Sequence, residues 1–387
     1  MVAMEFEFAT SARIIFGPGK LGEIGAVASK LGKRILLVQG GDSARVQPLT
    51  AELLASGIEF STFQVRGEPT IEDIDEGVRK VRDRDADLVV GFGGGSVIDS
   101  SKAIAAMAAN PGEVSDYLET IGKGRPITMP SFPSIAIPTT AGTGAEVTRN
   151  AVLASRQHRV KASLRSPHLL PRVALVDPAL TYGLPRALTA STGLDALTQL
   201  IEPYVSVRAN PITDSFCLSG IHLAARSLRK VYENGNDNDA RQDIALASLF
   251  GGLALANAGL VAVHGFAAPI GGMFPAPHGA VCGCLLPYAT EINIRALRQR
   301  KDGSEALFRY AKIATIVTRS EKATTEDGVK WIQDLCETLQ VPRLQSYGIG
   351  RNDVEALVEQ ASNASSMKAN PIALTREELA ELLTRAL

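Results

Sequence analysis

Two histidines with the chemistry of metal ligands lie in one apolar, glycine-rich segment of the 387-residue chain. His264 and His278 are each followed by glycine. A single histidine in such a setting is more commonly a packed core residue, but neutral imidazole is also a frequent ligand of zinc and iron. Two histidines in one such segment favour a metal site. The other three, His158, His168 and His222, lack this setting and are interpreted as surface or packing residues.

An acidic side chain that can balance a divalent charge is present at Asp195, with Gln199 four residues later. This spacing places both side chains on one side of a helix, so they can form half of a metal site. Taken alone, Asp195 is more typical of a helix surface or a helix cap. Cys282 and Cys284 are two positions apart and therefore lie on different faces of a helix, so we interpret both as packing residues.

Two glycine-rich loops indicate nucleotide binding. Residues 91–99 (GFGGGSVID) follow an apolar run and open a helical pattern. Glycines let the backbone approach an anion, and a helix N-terminus offers free N–H groups to a pyrophosphate, although a tight strand-to-helix turn has the same pattern. Residues 138–148 (PTTAGTGAEVT) also follow an apolar run, and a polar loop is the alternative there. Two such loops at the ends of strands in one sheet favour a nucleotide.

The elements that must position these residues divide the chain in two. Continuous apolar runs predict strands of a parallel sheet buried on both faces, at residues 34–39, 88–92, 134–138 and 173–177. Helices are predicted between them: residues 49–56 and 71–83 are amphipathic, and residues 96–109 follow a glycine cluster. After about Leu184 only helices are predicted, at residues 186–205, 211–232, 239–258, 279–298, 305–318, 326–339, 352–365 and 375–386. The sequence thus predicts an α/β dinucleotide-binding domain at residues 1–184 and an all-α domain at residues 185–387.

Composition limits the class of protein. Hydrophobic residues make up 45% and charged residues 21% of the chain, which is typical of a globular protein. The net charge of -1 gives no electrostatic basis for binding nucleic acid or an anionic membrane. There is no signal-peptide pattern at the start, no apolar run of about 18 residues, and no disulfide framework. We therefore expect a cytoplasmic protein without a membrane segment.

In combination and order, the motifs resemble those of the iron-containing, or group III, alcohol dehydrogenase family along nearly the full chain. They are IFGPG from Ile15, GGGSVIDSSK, PTTAGTGAEVT, LVDP from Leu175, TGLDALTQLIEPYVS, VHGFAAPIG…PHG and KANP from Lys368. The resemblance implies the architecture shared with dehydroquinate synthase. It also implies a homodimer and NAD(P)-linked hydride transfer between a small alcohol and its aldehyde or ketone, with iron or zinc as the divalent metal.

The resemblance also assigns residues to these roles. A dinucleotide would lie in a cleft between the domains, held by Gly94, Gly95, Ser96, Asp99, Thr139, Thr140, Thr143, Asn150 and Lys161. Asp195, His264 and His278 match three of the four usual metal ligands and are the expected catalytic residues. Gln199 stands at the position of the fourth, usually a histidine, and its amide oxygen would be a weaker ligand.

Two further positions depart from the family pattern. Ala268 stands where the family often has a histidine, which removes a candidate proton relay. Gly40 stands where an acid commonly binds the adenosine ribose, and its absence removes repulsion toward a 2′-phosphate. This favours NADP(H), or use of both NADP and NAD, although Asp42 lies close by in the sequence.

The substrate pocket is expected to be fairly apolar, lined by Phe266, Ala268, Pro269 and Met273.

Two other functions stay open. A metal-free reductase of a small oxoacid, resembling maleylacetate reductase, would use the histidines as hydrogen-bond donors. A catalytically lapsed nucleotide-binding protein would bind NADP(H) and reduce no aldehyde. A dehydroquinate synthase-like lyase is more remote, because no cluster of basic residues for a phosphate substrate is visible. Asp195 favours a metal site, whereas Gln199 argues slightly against one.

Overall fold

The computed structural model describes residues 5–41, 43–119, 121–155, 157–158 and 160–387. The described chain forms two compact units. The sheet unit consists of Ala9–Thr140 and Gly144–Tyr182. The helical unit consists of Ala141–Thr143 and Gly183–Leu387, together with the N-terminal residues up to Phe8. Asp42, which complicates the prediction of cofactor preference, lies outside the described residues.

All described strands lie in the sheet unit. They are β1 (Arg13–Phe16), β2 (Arg34–Gln39), β3 (Glu59–Gln64), β4 (Leu88–Gly93), β5 (Ser134–Pro138), β6 (Asn150–Ser155), β7 (Val160–Arg165) and β8 (Val173–Val176). Six of them form a parallel sheet in the order β1-β8-β5-β4-β2-β3, and β6 and β7 form an antiparallel hairpin.

The main sheet is buried on both faces, as the continuous apolar runs predicted. On β2, Leu36 and Val38 belong to one core cluster, whereas Ile35 and Leu37 belong to another. Every residue of β4, β5 and β8 is buried. Helices must therefore cover both faces, which is the usual arrangement around a parallel sheet.

The strands that the sequence did not predict lie at the edges of the main sheet or outside it. β1 and β3 are the two ends of the sheet order, and the β6–β7 hairpin is separate from the sheet. An edge strand has one neighbouring strand and fewer buried side chains, and β3 accordingly reads EFSTFQ with a single buried residue. β3 therefore carries no continuous apolar run, which was the pattern used for prediction, and β1 carries only the short run at residues 14–16.

The helices of the sheet unit are α1 (Ile24–Ala28), α2 (Ser43–Ala55), α3 (Ile71–Asp83), α4 (Gly95–Ala109) and α5 (Val114–Tyr117). Those of the helical unit are α6 (Arg186–Val205), α7 (Pro211–Glu233), α8 (Asn238–Ala258), α9 (Ala262–Met273), α10 (His278–Arg300), α11 (Glu305–Thr318), α12 (Thr325–Thr338), α13 (Val354–Asn363) and α14 (Arg376–Ala386). The predicted fold class, a parallel α/β sheet followed by an all-helical part, is confirmed.

One helix of the helical unit was not predicted. α9 is rich in glycine and contains Pro269, so its sequence lacks the signals of a regular helix. Among the described residues, no single helix has both the length and the apolar character to span a membrane. α8 and α9, which are bent by 98° relative to each other, meet these two criteria only as a pair.

Candidate functional site

A row of buried polar side chains runs along α6. Asp195, Gln199 and Glu202 are each 2% exposed. Their spacing of four and three residues places them on one face of the helix. Sequence analysis found the first two and missed Glu202, although the same periodicity extends to it. Buried acids on one helix face need partners, so this face is where a functional cluster is expected.

The N-terminal end of α10 lies directly against this part of α6. A Cβ atom on Gly279 would lie 2.2 Å from the Ser191 carbonyl oxygen and 3.2 Å from the Asp195 Cβ. A Cβ atom on Gly283, one turn later, would lie 2.7 Å from Leu194 Cδ1. Glycine at both positions therefore permits the close approach of the helices. This approach brings His278, the first residue of α10, to Asp195.

Four potential ligand atoms converge within 4.8 Å of one another, from Asp195, His264, His278 and Cys282. The Asp195 Oδ1 atom lies 3.4 Å from His264 Nε2 and 3.7 Å from His278 Nε2. The Cys282 Sγ atom lies 3.7 Å and 3.8 Å from the same two nitrogens. Three helices, α6, α9 and α10, thus contribute to one cluster. We call it the four-residue cluster.

Glu202 fixes the orientation of His264. One carboxylate oxygen lies 2.7 Å from His264 Nδ1, and the other accepts the Val263 N–H at 2.6 Å. Val263 lies in the first turn of α9, where backbone N–H groups have no partner within the helix. With Nδ1–H donating to the carboxylate, Nε2 keeps its lone pair and faces the other potential ligands. This is the carboxylate–histidine arrangement common behind metal ligands.

The charges in the cluster are coupled. Burial raises the pKa of the Asp195 carboxyl, but positive charge on His278 and His264 outweighs it and leaves the pKa lowered. Burial lowers the pKa of both imidazoles, but nearby negative charge outweighs it. Charge on Cys282 and Glu202 leaves the pKa of His264 raised. Charge on Cys282 and Asp195 leaves the pKa of His278 raised. The negative groups of the cluster therefore favour a cation at this position.

The donor set fits a divalent metal. A tetrahedral zinc ion with bonds of about 2.0–2.3 Å holds its ligand atoms about 3.3–3.6 Å apart. Four of the separations between the ligand atoms are 3.4–3.8 Å, close to that range, and all lie within 4.8 Å. The Asp195 Oδ1 and Gln199 Oε1 atoms are also buried without a hydrogen-bond partner. Unpaired buried oxygens are costly unless a cation is available to them.

Two sequence expectations need correction here. Cys282 is fully buried, as a packing residue would be, but its thiol also contacts both imidazoles. Comparing Cys282 with Cys284 hid the relevant spacing, which is the four residues from His278 to Cys282. Phe266 is 0% exposed and so cannot line an open pocket, whereas Ala268 on the same helix is exposed.

The predicted phosphate-binding residues in the sheet unit lie at the carboxyl ends of adjacent strands. Gly94 follows β4 as the N-cap of α4, and Gly95 and Ser96 open this helix. A Cβ atom on Gly94 would lie 3.4 Å from the Thr140 Oγ1 after β5, and one on Gly40 after β2 would lie 3.9 Å from a Val97 methyl. In the sheet order, β2 lies between β3 and β4, so the chain reverses direction across the sheet at this point. Open α/β sheets bind ligands at such switch points.

The glycines of this loop serve different purposes. A Cβ atom on Gly93 would lie 2.6 Å from Val97 Cγ2, so glycine there is needed for packing inside the protein. A Cβ atom on Gly94 would meet nothing closer than an ordinary van der Waals contact. Because nothing within the sheet unit requires glycine at position 94, close approach of a ligand is a sufficient reason for it.

Three other predicted nucleotide-binding residues lie on or against the β6–β7 hairpin. Asp99 pairs with the buried Lys102 at 2.9 Å and accepts the Val152 N–H of β6 at 3.0 Å. Asn150 begins β6. Lys161, on β7, pairs with Glu68 at 3.1 Å.

The threonines of the second loop fall into both units. Thr139 donates its N–H to the Gly93 carbonyl at 2.9 Å, whereas Thr143 belongs to the helical unit. These residue roles stay predictions.

The same loop carries a buried acid that makes folding dependent on pH. Burial raises the pKa of Glu146 from 4.5 to about 7, against the nearby charge of Lys102. The unfolded chain releases this proton near the ordinary pKa of 4.5, so the stabilisation is fully present below pH 4.5 and is lost as the pH rises toward 7. Glutamine cannot ionise, so in Glu146→Gln we expect the free energy of unfolding to fall by up to about 3 kcal/mol less over this pH range than in the wild-type protein. Denaturant unfolding of both proteins at pH 5 and pH 8 measures it, and identical pH dependence would refute it.

Known proteins match this chain over nearly its whole length. The family models described as "Iron-containing alcohol dehydrogenase" and "Fe-containing alcohol dehydrogenase family, C-terminal" match residues 11–178 and 189–387. Alcohol dehydrogenase 4 of Saccharomyces cerevisiae (strain YJM789) is 35% identical over 380 residues, covering 96% of each chain.

Solved structures agree with the sequence comparison. A crystal structure of a 1,3-propanediol oxidoreductase has a TM-score of 0.91 at 32% identity, covering 99% of this chain and 100% of that one. Sulfoacetaldehyde reductase from Bifidobacterium kashiwanohense, in complex with NAD+, has a TM-score of 0.86 at 29% identity, covering 99% and 98%. The chain therefore belongs to the iron-containing alcohol dehydrogenase family of metal-dependent oxidoreductases, as its motifs predicted.

Proposed function

We propose that this protein interconverts a small alcohol and its aldehyde or ketone, using NAD(P)(H) and a divalent metal held by Asp195, His264 and His278. The observation that carries the proposal is the convergence of their ligand atoms within one buried cluster. When bound, the metal supplies Lewis-acid polarisation of a substrate oxygen, and the nicotinamide accepts or donates the hydride.

The residues of the cluster have separate roles in this proposal. Asp195 supplies negative charge, which its lowered pKa keeps in place at neutral pH. Glu202 holds His264 in the tautomer that offers Nε2 as a ligand. Ala268 is exposed on α9, one turn after His264, and its methyl group cannot move a proton. Proton transfer would therefore run through water or cofactor hydroxyls.

For the cofactor, we infer that pyrophosphate binds at Gly94, Gly95 and Ser96. The support is the free N-terminus of α4 at the switch point of the sheet, together with space for a ligand beside Gly94. We further infer a preference for NADP(H), because Gly40 at the end of β2 places no carboxylate at that edge. Domain limits at residues 1–184 and 185–387 and a homodimeric assembly stay predictions.

The cofactor preference predicts the effect of a single charge. Gly40→Asp is expected to lower the ratio of kcat/KM for NADPH to that for NADH by about 10- to 100-fold, because a carboxylate repels the 2′-phosphate. The backbone of Gly40 is not left-handed, and its Cβ would have no atom closer than 3.9 Å, so a side chain fits. Initial rates with both cofactors measure the ratio.

Gly40→Asn is the matched control, since it adds nearly the same bulk without the charge. The ratio should change much less in this variant. An equal change in both variants would show that the bulk of the side chain at position 40, rather than its charge, determines the cofactor preference. A wild-type protein that uses NADH better than NADPH would contradict the inferred preference.

Isotope transfer tests the reaction itself. With propan-1-ol deuterated at C1, the reduced cofactor should gain one deuterium, detected by mass spectrometry. Propan-1-ol deuterated at C2 is the control and should give unlabelled reduced cofactor, because that carbon does not react. Reduction of the cofactor without label from C1 would exclude direct hydride transfer. No reduction with any small alcohol, and no oxidation of NAD(P)H by the corresponding aldehydes, would exclude the proposed activity.

A further inference from the structure

The Cys282 thiol belongs to the four-residue cluster and is directed toward its two histidines. It lies one turn after His278 on α10, so both side chains are on the same face of that helix. Its Sγ atom is nearly equidistant from His264 Nε2 and His278 Nε2, at 3.7 Å and 3.8 Å. The side chain is 0% exposed, so the sulfur is directed into the cluster and away from solvent.

The other three cysteines show what packing cysteines look like in this chain. The Cys284 thiol donates to the Ala386 carbonyl, and the Cys336 thiol donates to the Gly283 carbonyl. Burial raises the pKa of Cys284 to about 11, that of Cys336 to about 12, and that of Cys217 well above its usual value. Cys282 differs from these thiols in facing imidazole nitrogens and a carboxylate.

We propose that the Cys282 thiolate is a fourth protein ligand of the metal, beside Asp195, His264 and His278, and that it makes the centre select zinc over iron. The inference deepens the proposed function and rests on it. The geometry supports it because the sulfur is nearly equidistant from the two Nε2 atoms, as expected for three ligands that share one metal ion. No other described histidine, cysteine or acid belongs to this group of converging atoms.

The chemistry of the donor set indicates the metal. Thiolate ligands favour zinc over harder divalent ions, and carboxylate with imidazole alone discriminates less. One thiolate and one carboxylate also balance the charge of a divalent ion inside a buried site. Gln199 offers only a neutral amide oxygen on the same face of α6. Some zinc centres expand to five ligands, so four protein donors do not exclude substrate.

Cobalt substitution tests the ligand directly. The purified protein is stripped of metal and loaded with one Co²⁺ per chain, and its absorption spectrum is recorded. We expect a near-ultraviolet thiolate-to-cobalt charge-transfer band in the wild-type protein. The band should vanish in Cys282→Ser and persist in Cys284→Ser, the matched control two residues away. Loss of a residue that only hydrogen-bonds to a ligand lowers metal affinity by about 10- to 100-fold. We expect zinc affinity to fall further than this in Cys282→Ser. Affinity for Mn²⁺ should fall much less.

The wild-type spectrum keeps the test decisive even if Cys282→Ser fails to fold. Bound cobalt without the charge-transfer band, in a protein that still transfers deuterium from propan-1-ol, would overturn the role of Cys282 and leave the proposed function standing. A band that persists in Cys282→Ser would overturn it equally. Failure to bind any divalent metal would overturn both proposals.

Discussion

Asp195→Asn is expected to abolish stoichiometric metal binding and to lower kcat/KM by about 10³-fold or more. The substitution keeps the size of the side chain and removes one negative charge from a site that is almost entirely buried. Loss of metal activation removes several kcal/mol of transition-state stabilisation, and about 4 kcal/mol corresponds to a factor of about 10³. Metal analysis and steady-state rates on the same sample measure both effects.

Asp239→Asn is a suitable control for this variant. Asp239 is an exposed residue in the first turn of α8, so the same chemical change there should leave metal content and rate at wild-type values. If Asp195→Asn retained both metal and activity, the carboxylate would not be a ligand and the proposed centre would be wrong.

Glu202→Gln is expected to weaken metal binding by about 10- to 100-fold while leaving the fold intact. The amide oxygen can still accept the Val263 N–H, so the start of α9 keeps its partner. The amide NH₂ group, however, can only donate to His264 Nδ1. The imidazole proton must then move to Nε2, the atom that faces the cluster, and a protonated nitrogen cannot bind a metal.

Competition with a chromogenic chelator measures this affinity. Glu291→Gln is the control, because Glu291 pairs with Arg385 in the same unit and is not a member of the four-residue cluster. Unfolding midpoints should show that Glu202→Gln remains folded. Unchanged metal affinity in a folded Glu202→Gln protein would mean that the tautomer of His264 is not set by this carboxylate.

Much of the fold could be predicted because it depends on local patterns. β2 and β5 form as continuous apolar runs predicted, and so do the long amphipathic helices after residue 184. The edge strand β3 could not be predicted in this way, since it carries no continuous apolar run, and β1 offers only the short run at residues 14–16. α9 was missed because its glycines and Pro269 weaken every local helix signal.

The candidate site could be predicted only in part, for a different physical reason. Asp195, His264 and His278 were recognised from their residue types, and the structure brings them together. Glu202 on α6 and Cys282 on α10 each contribute through a contact with His264 on α9, and such contacts between separate helices leave no local pattern in the sequence. Helical periodicity alone could have pointed to Glu202, two turns after Asp195 on α6, and to Cys282, one turn after His278 on α10. It could not have shown that both side chains contact His264.

Metal content and activity on one sample test the central claim most directly. Divalent metals are quantified by mass spectrometry on the purified protein, and NADPH-dependent aldehyde reduction is assayed before and after chelation. We predict about one divalent ion per chain, with activity lost on chelation and restored by zinc or iron. Full activity in a protein without metal would contradict the account and support a metal-free oxoacid reductase. Absence of both metal and activity, even after metals are added, would contradict it in favour of a catalytically lapsed nucleotide-binding protein.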